Sequence, residues 1–220
     1  MTDIERRFTR RATEVRAEDS RTIGGYAAVF GKRSNNLGGF VELVDNRAFN
    51  KSKGDGWPDV IARWNHDDAF LLGTTRSGTL RLAVDGEGLR YDVDVPETRQ
   101  DVYELVQRGD IDKSSFAFRV MEDDWDSTED GFPIRTLTKV QLVDVAPVNT
   151  PAYPDSSAGL RSLALAKDAD LEEVRKLAEE GELSRLFKRT DRPSPTAGPG
   201  GVSVKQARME LLKLKNSPYL

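Results

Sequence analysis

Three places in the sequence hold side chains that could be combined into a hydrolytic site: His66, the pair Ser114 and Ser115, and Asp144. His66 is the only histidine of the 220-residue chain, and it follows the strand-like run DVIARWN. A serine hydroxyl is a poor nucleophile near neutral pH and needs an adjacent base, and an imidazole base in turn needs an acceptor that fixes its tautomer. A fold that brings these groups together would therefore perform nucleophilic acyl transfer, whatever their order along the chain.

Taken one at a time, these residues favour ordinary roles. A histidine between polar neighbours is typical of a solvated loop, and serines at the start of a strand are common turn residues. Asp144 is more unusual, because it is the single carboxylate inside the apolar run VQLVDVAPV. A carboxylate buried in such a run needs a cationic or hydrogen-bonding partner. The alternative is an aspartate at a strand end, in water or paired with a surface lysine.

The alternation of strand residues separates the two serines. In SSFAFRV, Phe116 and Phe118 share one face of the expected strand, whereas Ser115 and Arg119 share the other. Ser114 falls on the side of the phenylalanines. Ser115 is therefore the serine that faces away from an aromatic core.

The elements that must position these side chains are mostly short strands. The clearest unit is a hairpin in TLRLAVDGEGLRYDVDV, where apolar residues alternate on both sides of DGEG. Weaker strand patterns cover residues 23–30, 40–44, 59–64, 115–120 and 135–148. One helix interrupts them, beginning after Pro96 and ending at Gly109. The pattern predicts an α+β fold, mainly antiparallel β, arranged as a barrel or sandwich.

Composition divides the chain into four segments: a charged N-terminal arm (1–20), a β-rich domain (21–160), a helical extension (161–189), and a proline- and glycine-rich linker with a basic amphipathic tail (190–220). Pro147, Pro151 and Pro154 indicate where the chain leaves the sheet. In the helical extension, Asp168 or Asp170 is placed to cap a helix. We expect the end of the chain to be partly disordered, as either a mobile tail or a docking or cleavable one.

Composition also excludes several functions. The chain has no cysteine, which rules out disulfides, thiolate zinc sites and a cysteine nucleophile. No run reaches the length of a signal peptide or the roughly 18 apolar residues of a membrane span, so we expect a soluble, unsecreted protein. The formal net charge of -4 gives no reason to expect direct nucleic-acid binding.

We also expect no metal or other cofactor. The run DDWDSTEDG resembles a calcium loop, but Leu137 stands at its twelfth position, where a glutamate is needed. An acidic hairpin tip is the better interpretation of this run.

Four stretches together look familiar: IGGYAAVFG, WNHDDAFLLGTT, RGDIDKSSFAFRV and LVDVAPVNTPAYPDS. In this order they resemble the prohead maturation protease family of tailed bacteriophages, serine proteases whose fold is similar to that of herpesvirus assemblin. The resemblance implies a closed β-barrel with a few flanking helices. It also implies that His66 is the base, Ser115 the nucleophile and Asp144 the third member, at a position where many relatives have glutamate. Asp67 and Asp68 are alternatives for the third role.

The resemblance further implies a substrate and a place of action. The substrate would be the scaffolding portion of the major capsid protein, together with the protease itself, inside a prohead assembled in the host cytoplasm. The likeness to assemblin is compatible with a homodimer. For the oxyanion we expect backbone N–H groups or an arginine, with Arg119 and Arg135 as candidates.

Two other functions compete with this one. One is a catalytically inactive capsid-assembly or scaffolding protein built on the same β-domain. The other is a hydrolase of the same triad type that acts on small esters or on peptides unrelated to capsids.

Overall fold

A computed structural model of the chain describes residues 3–9, 14–17, 21–149 and 157–187, and residues 14–17 by their backbone alone. The strands of this part are β1 (Ile4–Thr9), β2 (Glu14–Ala17), β3 (Thr22–Val29), β4 (Val41–Val44), β5 (Ile61–Arg63), β6 (Leu71–Thr74), β7 (Leu80–Val84), β8 (Gly88–Asp94), β9 (Lys113–Ser127) and β10 (Pro133–Val148). The helices are α1 (Asn50–Gly54), α2 (Gln100–Gln107), α3 (Ser157–Lys167) and α4 (Leu171–Glu179), with 3₁₀ turns at Trp64–His66, Asp68–Phe70, Glu97–Arg99 and Leu183–Leu186.

The strands form two sheets. The six-stranded sheet has the order β1-β9-β10-β5-β6, with β4 also paired to β10, and the four-stranded sheet has the order β2-β3-β8-β7. Pairing is antiparallel except where β10 meets β4 and β5. The expected α+β fold with mainly antiparallel strands is therefore confirmed. The pairings between described strands do not close into a barrel, so the closed barrel stays a prediction.

One hydrophobic cluster joins the two sheets. It combines Leu89 and Tyr91 of β8 with Phe116 and Phe118 of β9, all of them almost completely buried. Phe116 stacks on Phe118 with ring centroids 4.8 Å apart, and the ring of Phe49 meets Phe116 edge-on at 5.7 Å. Burial of side chains this size contributes about 1.5–3 kcal/mol each, so this face of β9 is fixed to the core. The β7–β8 hairpin expected from the sequence packs here.

The longest unit is the β9–β10 hairpin, in which β9 continues to Ser127, well beyond the expected run 115–120, whereas β10 begins only two residues before the expected run 135–148. Its polar tip begins at Thr128, whose hydroxyl accepts a bond from the Phe132 N–H at 3.0 Å. Gly131 there has φ of 76°, a left-handed conformation that glycine adopts without strain. Residues 128–131 of the acidic run form this tip, as expected, whereas residues 123–127 belong to β9. The strand pattern underestimated β9 because its outer half carries polar residues on both faces.

The C-terminal helices have a cluster of their own. Leu163 of α3 and Val174 of α4 are fully buried with Phe40 and Leu183. Asp170 caps α4, its carboxylate accepting bonds from the backbone N–H groups of residues 172 and 173 at 2.9 and 3.1 Å. The expected cap is therefore the second of the two candidate aspartates. No described helix has the length and apolar character needed to cross a membrane.

The structure differs from the sequence expectation at Pro147 and at the N-terminal stretch. β10 runs through Pro147 to Val148, so this proline lies inside the last strand and does not mark its end. β5 pairs with β10 only at Asp144 and Val145, so a proline further along removes no hydrogen bond from that pair. The charged N-terminal stretch contributes β1 to the larger sheet. Pro151, Pro154 and the linker and tail at 190–220 lie outside the described residues.

Candidate active site

His66 is presented by a tight turn between β5 and β6. Asn65 and His66 both have left-handed backbone conformations, with φ of 53° and 59°. Such a conformation costs about 1–2 kcal/mol for a non-glycine residue, although asparagine tolerates it better than most. The turn is held by packing: Trp64 meets Phe70 edge-on with ring centroids 4.9 Å apart. Strain retained in a short segment is common at functional sites, where surrounding contacts hold an unusual backbone.

The strand β9 presents the two serines to opposite sides. Ser114 is buried on the core side, where its hydroxyl lies 3.0 Å from the hydroxyl of Tyr91. Ser115 lies on the other side, and its Oγ is 2.6 Å from Nε2 of His66. As strand alternation predicted, Ser114 faces the core and Ser115 faces the opposite side.

Asp144 reaches the same side through an irregularity of β10. Leu142 pairs with Phe118 but Asp144 pairs with Ala117, so one residue, Val143, is extra on β10. Such a bulge moves the following residues to the opposite face of the sheet. Regular alternation would place Asp144 on the core face with Leu142. The bulge places it on the face of Ser115.

The three side chains form a continuous chain of contacts. Oδ1 of Asp144 lies 2.5 Å from Nδ1 of His66, and Nε2 of His66 lies 2.6 Å from Oγ of Ser115. The histidine side chain is 5% exposed and the aspartate is fully buried. Burial raises the pKa of Asp144, but hydrogen bonding and the charges of His66 and Arg63 outweigh it and hold that pKa below its ordinary value.

The ionised carboxylate fixes the tautomer of the imidazole. A carboxylate can only accept hydrogen bonds, so Nδ1 of His66 must carry the hydrogen that faces Asp144. In the neutral ring this leaves the lone pair of Nε2 directed at Ser115. This is the tautomer that a general base requires.

The hydroxyl of Ser115 has a second acceptor within reach. Its Oγ lies 2.8 Å from the backbone carbonyl oxygen of Arg7 in β1. A hydroxyl carries a single hydrogen, so Ser115 donates either to this carbonyl or to Nε2 of His66, not to both. The bond to His66 is the one that precedes proton transfer.

The two other carboxylates near His66 have different contacts. Asp67 accepts a bond from the N–H of Ala69 at 2.9 Å and so caps the following turn. Asp68 is bound by Nη1 of Arg63, whose Nη2 binds the second oxygen of Asp144. Only Asp144 of the three contacts the imidazole. Sequence reasoning missed Arg63, although its position two residues after Ile61, the partner of Asp144 in β10, places it on the same face.

The two arginines considered for the oxyanion lie at different distances from Ser115. Arg119 is four residues further along β9 on the same face, which is roughly 13 Å at ~3.3 Å per residue. Arg135 pairs with Trp125 at the far end of the hairpin, roughly 30 Å along the strand by the same measure. The structure does not bring Arg135 to the site.

The guanidinium of Arg135 is instead bound by carboxylates. Its Nη1 lies 2.8 Å from Glu5 and 3.1 Å from Glu42, and its Nε lies 2.6 Å from Asp123. Arg7 joins the same group, 2.7 Å from Glu5 and 2.8 Å from Glu42. This buried network ties β1 and β4 to the β9–β10 hairpin.

A serine hydroxyl on a histidine that is held by a buried carboxylate is the arrangement found in serine hydrolases. The family model described as caudovirus prohead serine protease matches residues 7–169. The chain belongs to this family, whose members are serine proteases of bacteriophage capsid maturation. The resemblance seen in the four sequence stretches is thereby confirmed. Comparisons with curated proteins and with solved structures returned no match.

Proposed function

We propose that the protein is a prohead maturation endopeptidase in which Ser115 is the nucleophile, His66 the general base and acid, and Asp144 the residue that orients the imidazole. The observation that carries the proposal is the unbroken chain from Asp144 Oδ1 through both nitrogens of His66 to Ser115 Oγ. Membership of the prohead protease family supports the peptide-bond chemistry.

The reaction is acyl transfer in two halves. The Oγ of Ser115 attacks the peptide carbonyl carbon while Nε2 of His66 takes the hydroxyl proton, and Asp144 stabilises the resulting imidazolium. The tetrahedral intermediate collapses when His66 returns the proton to the leaving amine, and the carbon–nitrogen bond breaks. Water, activated by the same histidine, then hydrolyses the acyl-enzyme and restores the serine.

The negative charge on the carbonyl oxygen needs donors that are already in place. We propose that backbone N–H groups near Ser115 or the side chain of Arg119 supply them. Arg135 is not one of them, because three carboxylates surround its guanidinium.

Family membership supports a substrate from the phage head. We propose that the protease removes the scaffolding portion of the major capsid protein inside the prohead, within the host cytoplasm, and that it also cleaves itself. A homodimer is compatible with this function. Removal of the scaffolding portion would clear space for the genome.

The test is co-expression with the major capsid protein of the same phage. Wild-type protein should shorten the capsid protein, whereas Ser115→Ala and His66→Ala should leave it at full length, since members of a triad act as a unit. Ser114→Ala is the matched control, because it removes the neighbouring hydroxyl that faces Tyr91, and it should still cleave. Capsid protein of one size in all four samples would contradict the proposal and favour an inactive assembly protein.

Self-cleavage is tested separately by the intact mass of the protein. Trimming is proposed in the basic, linker-connected segment after residue 188, because residues 190–201 are rich in proline and glycine. Wild-type protein should lose mass that Ser115→Ala retains. Equal masses that both extend to Leu220 would rule out trimming.

A further inference from the structure

The buried carboxylate of Asp144 has two oxygens, and His66 uses only one. The other, Oδ2, accepts a hydrogen bond from Nη2 of Arg63, whose side chain is 11% exposed. The sheet produces this contact: Ile61 of β5 lies beside Asp144 of β10 in a parallel pair, and Arg63 is two residues further along the same face.

The second contact restricts the carboxylate group. A carboxylate held through one oxygen can still rotate about the Cβ–Cγ bond. Hydrogen-bond donors on both oxygens fix the plane of the group. Arg63 also binds Asp68, two residues after His66. One guanidinium thus connects the acid on β10 to the turn that presents the base.

The charge of Arg63 matters as much as its geometry. Before proton transfer the imidazole is neutral, and a fully buried carboxylate without a counter-charge would cost several kcal/mol. His66 supplies a positive charge only while it is protonated. Arg63 supplies one throughout the reaction, so Asp144 can stay ionised when His66 is neutral.

We propose that Arg63 is a positioning residue of the proton relay. It holds Oδ2 of Asp144 so that Oδ1 remains directed at Nδ1 of His66, and it keeps the carboxylate ionised between proton transfers. Arg63 acts through Asp144 and does not touch the nucleophile. This role rests on the proposed function of the triad.

The experiment measures the rate at which diisopropyl fluorophosphate labels Ser115. In this reaction Oγ forms a bond to phosphorus, fluoride leaves, and the hydroxyl proton passes to His66. Wild-type protein is compared with two variants. Arg63→Met removes the positive charge, and Arg63→Lys keeps the charge but lacks the planar guanidinium that binds two carboxylates at once. Arg76→Met is the matched control, because Arg76 forms an exposed pair with Asp59.

Arg63→Met should lower the labelling rate by about 10- to 100-fold, the loss that follows when the outer partners of metal-bound histidines are removed. It should also move the acid-side midpoint of the pH–rate profile to higher pH. The charged groups near His66 are Asp144, which meets the imidazole, Arg63, and Asp67 and Asp68 in the same turn. Removal of the guanidinium takes away a cation that binds Asp144, so the negative charge beside the imidazole is less compensated and the imidazolium is favoured. Arg63→Lys should keep the wild-type midpoint and lose only part of the rate, and Arg76→Met should match wild type.

Two results would overturn the proposal. Arg63→Met with the wild-type rate and midpoint would show that the guanidinium does not serve the relay. If Arg63→Met does not fold, Arg63→Lys provides the test, because it keeps the positive charge. A folded Arg63→Lys whose pH–rate midpoint moves to higher pH would contradict the role of the charge. Wild-type protein that is not labelled at Ser115 would instead overturn the proposed function itself, so the two failures are distinguishable.

Discussion

At the scale of single residues, the choice among three acidic side chains near His66 follows from what each one contacts. Asp144 meets Nδ1 of the imidazole at 2.5 Å, Asp67 caps the next turn, and Asp68 binds Arg63. Asp144 is one methylene shorter than the glutamate that the resemblance implies for many relatives at this position. Asp144 reaches His66 because the bulge at Val143 places its side chain on the sheet face that carries Ser115.

Substitution of the three acids should therefore have very different effects. Asp144→Asn should lower the rate of Ser115 labelling by about 10³- to 10⁴-fold, because an amide favours the wrong imidazole tautomer. Asp67→Asn and Asp68→Asn should each have a small effect. Labelling rates of the three purified variants decide this, and a larger loss from either loop substitution would move the orienting role into the turn.

The low pKa of Asp144 also predicts how stability depends on pH. A carboxyl whose folded-state pKa lies below its unfolded value binds fewer protons in the native state, so it stabilises the fold above the unfolded pKa. That contribution is lost as the pH falls from about 4 through the lower folded value. The difference in unfolding free energy between wild type and Asp144→Asn should thus shrink between about pH 5 and pH 3. Urea denaturation at both values measures it, and a constant difference would contradict the assigned sign.

At the scale of elements, sequence alternation correctly predicted which face each side chain occupies at the start of β9, but it could not do so for Asp144 in β10. β9 is regular at its start, so Ser115 and Phe116 fall on opposite faces as the sequence predicts. β10 contains the bulge at Val143, which depends on pairing with β9 and leaves no mark in the local apolar pattern. The residue type of Asp144 could be recognised from the sequence, but the face it occupies could not. Arg63 was missed for a similar reason, because its partner lies 81 positions away along the chain.

The buried ion network contains Arg135, which the sequence analysis considered as a candidate for the oxyanion. Arg135→Met should lower the unfolding free energy by about 3–5 kcal/mol, because it removes a buried cation that three carboxylates of this network share. Arg81→Met is the control: its pair with Asp94 is about half exposed, and loss of an exposed pair costs about 1 kcal/mol or less. Denaturant unfolding of both variants measures the difference. Equal losses would contradict a structural role for Arg135.

At the scale of the whole molecule, the hydrophobic core and the candidate active site lie on opposite faces of β9. The core between the two sheets fixes one face of β9, and the opposite face of the same strand carries Ser115 beside His66 and Asp144. The α+β class and the hairpins were predictable because their signals are local. The small core beneath α3 and α4 was not, because it depends on Phe40 from a distant loop. Clustered apolar residues at helical spacing predict a buried face but not its partner.

The central claim is that Ser115 is a nucleophile activated by His66. Peptide mapping by mass spectrometry after treatment with diisopropyl fluorophosphate tests it directly, because Ser114 is an adjacent serine with the same intrinsic chemistry. We expect one labelled residue, Ser115, in wild-type protein and no label in His66→Ala. Label on Ser114, or equal labelling of Ser115 in the presence and absence of His66, would contradict it.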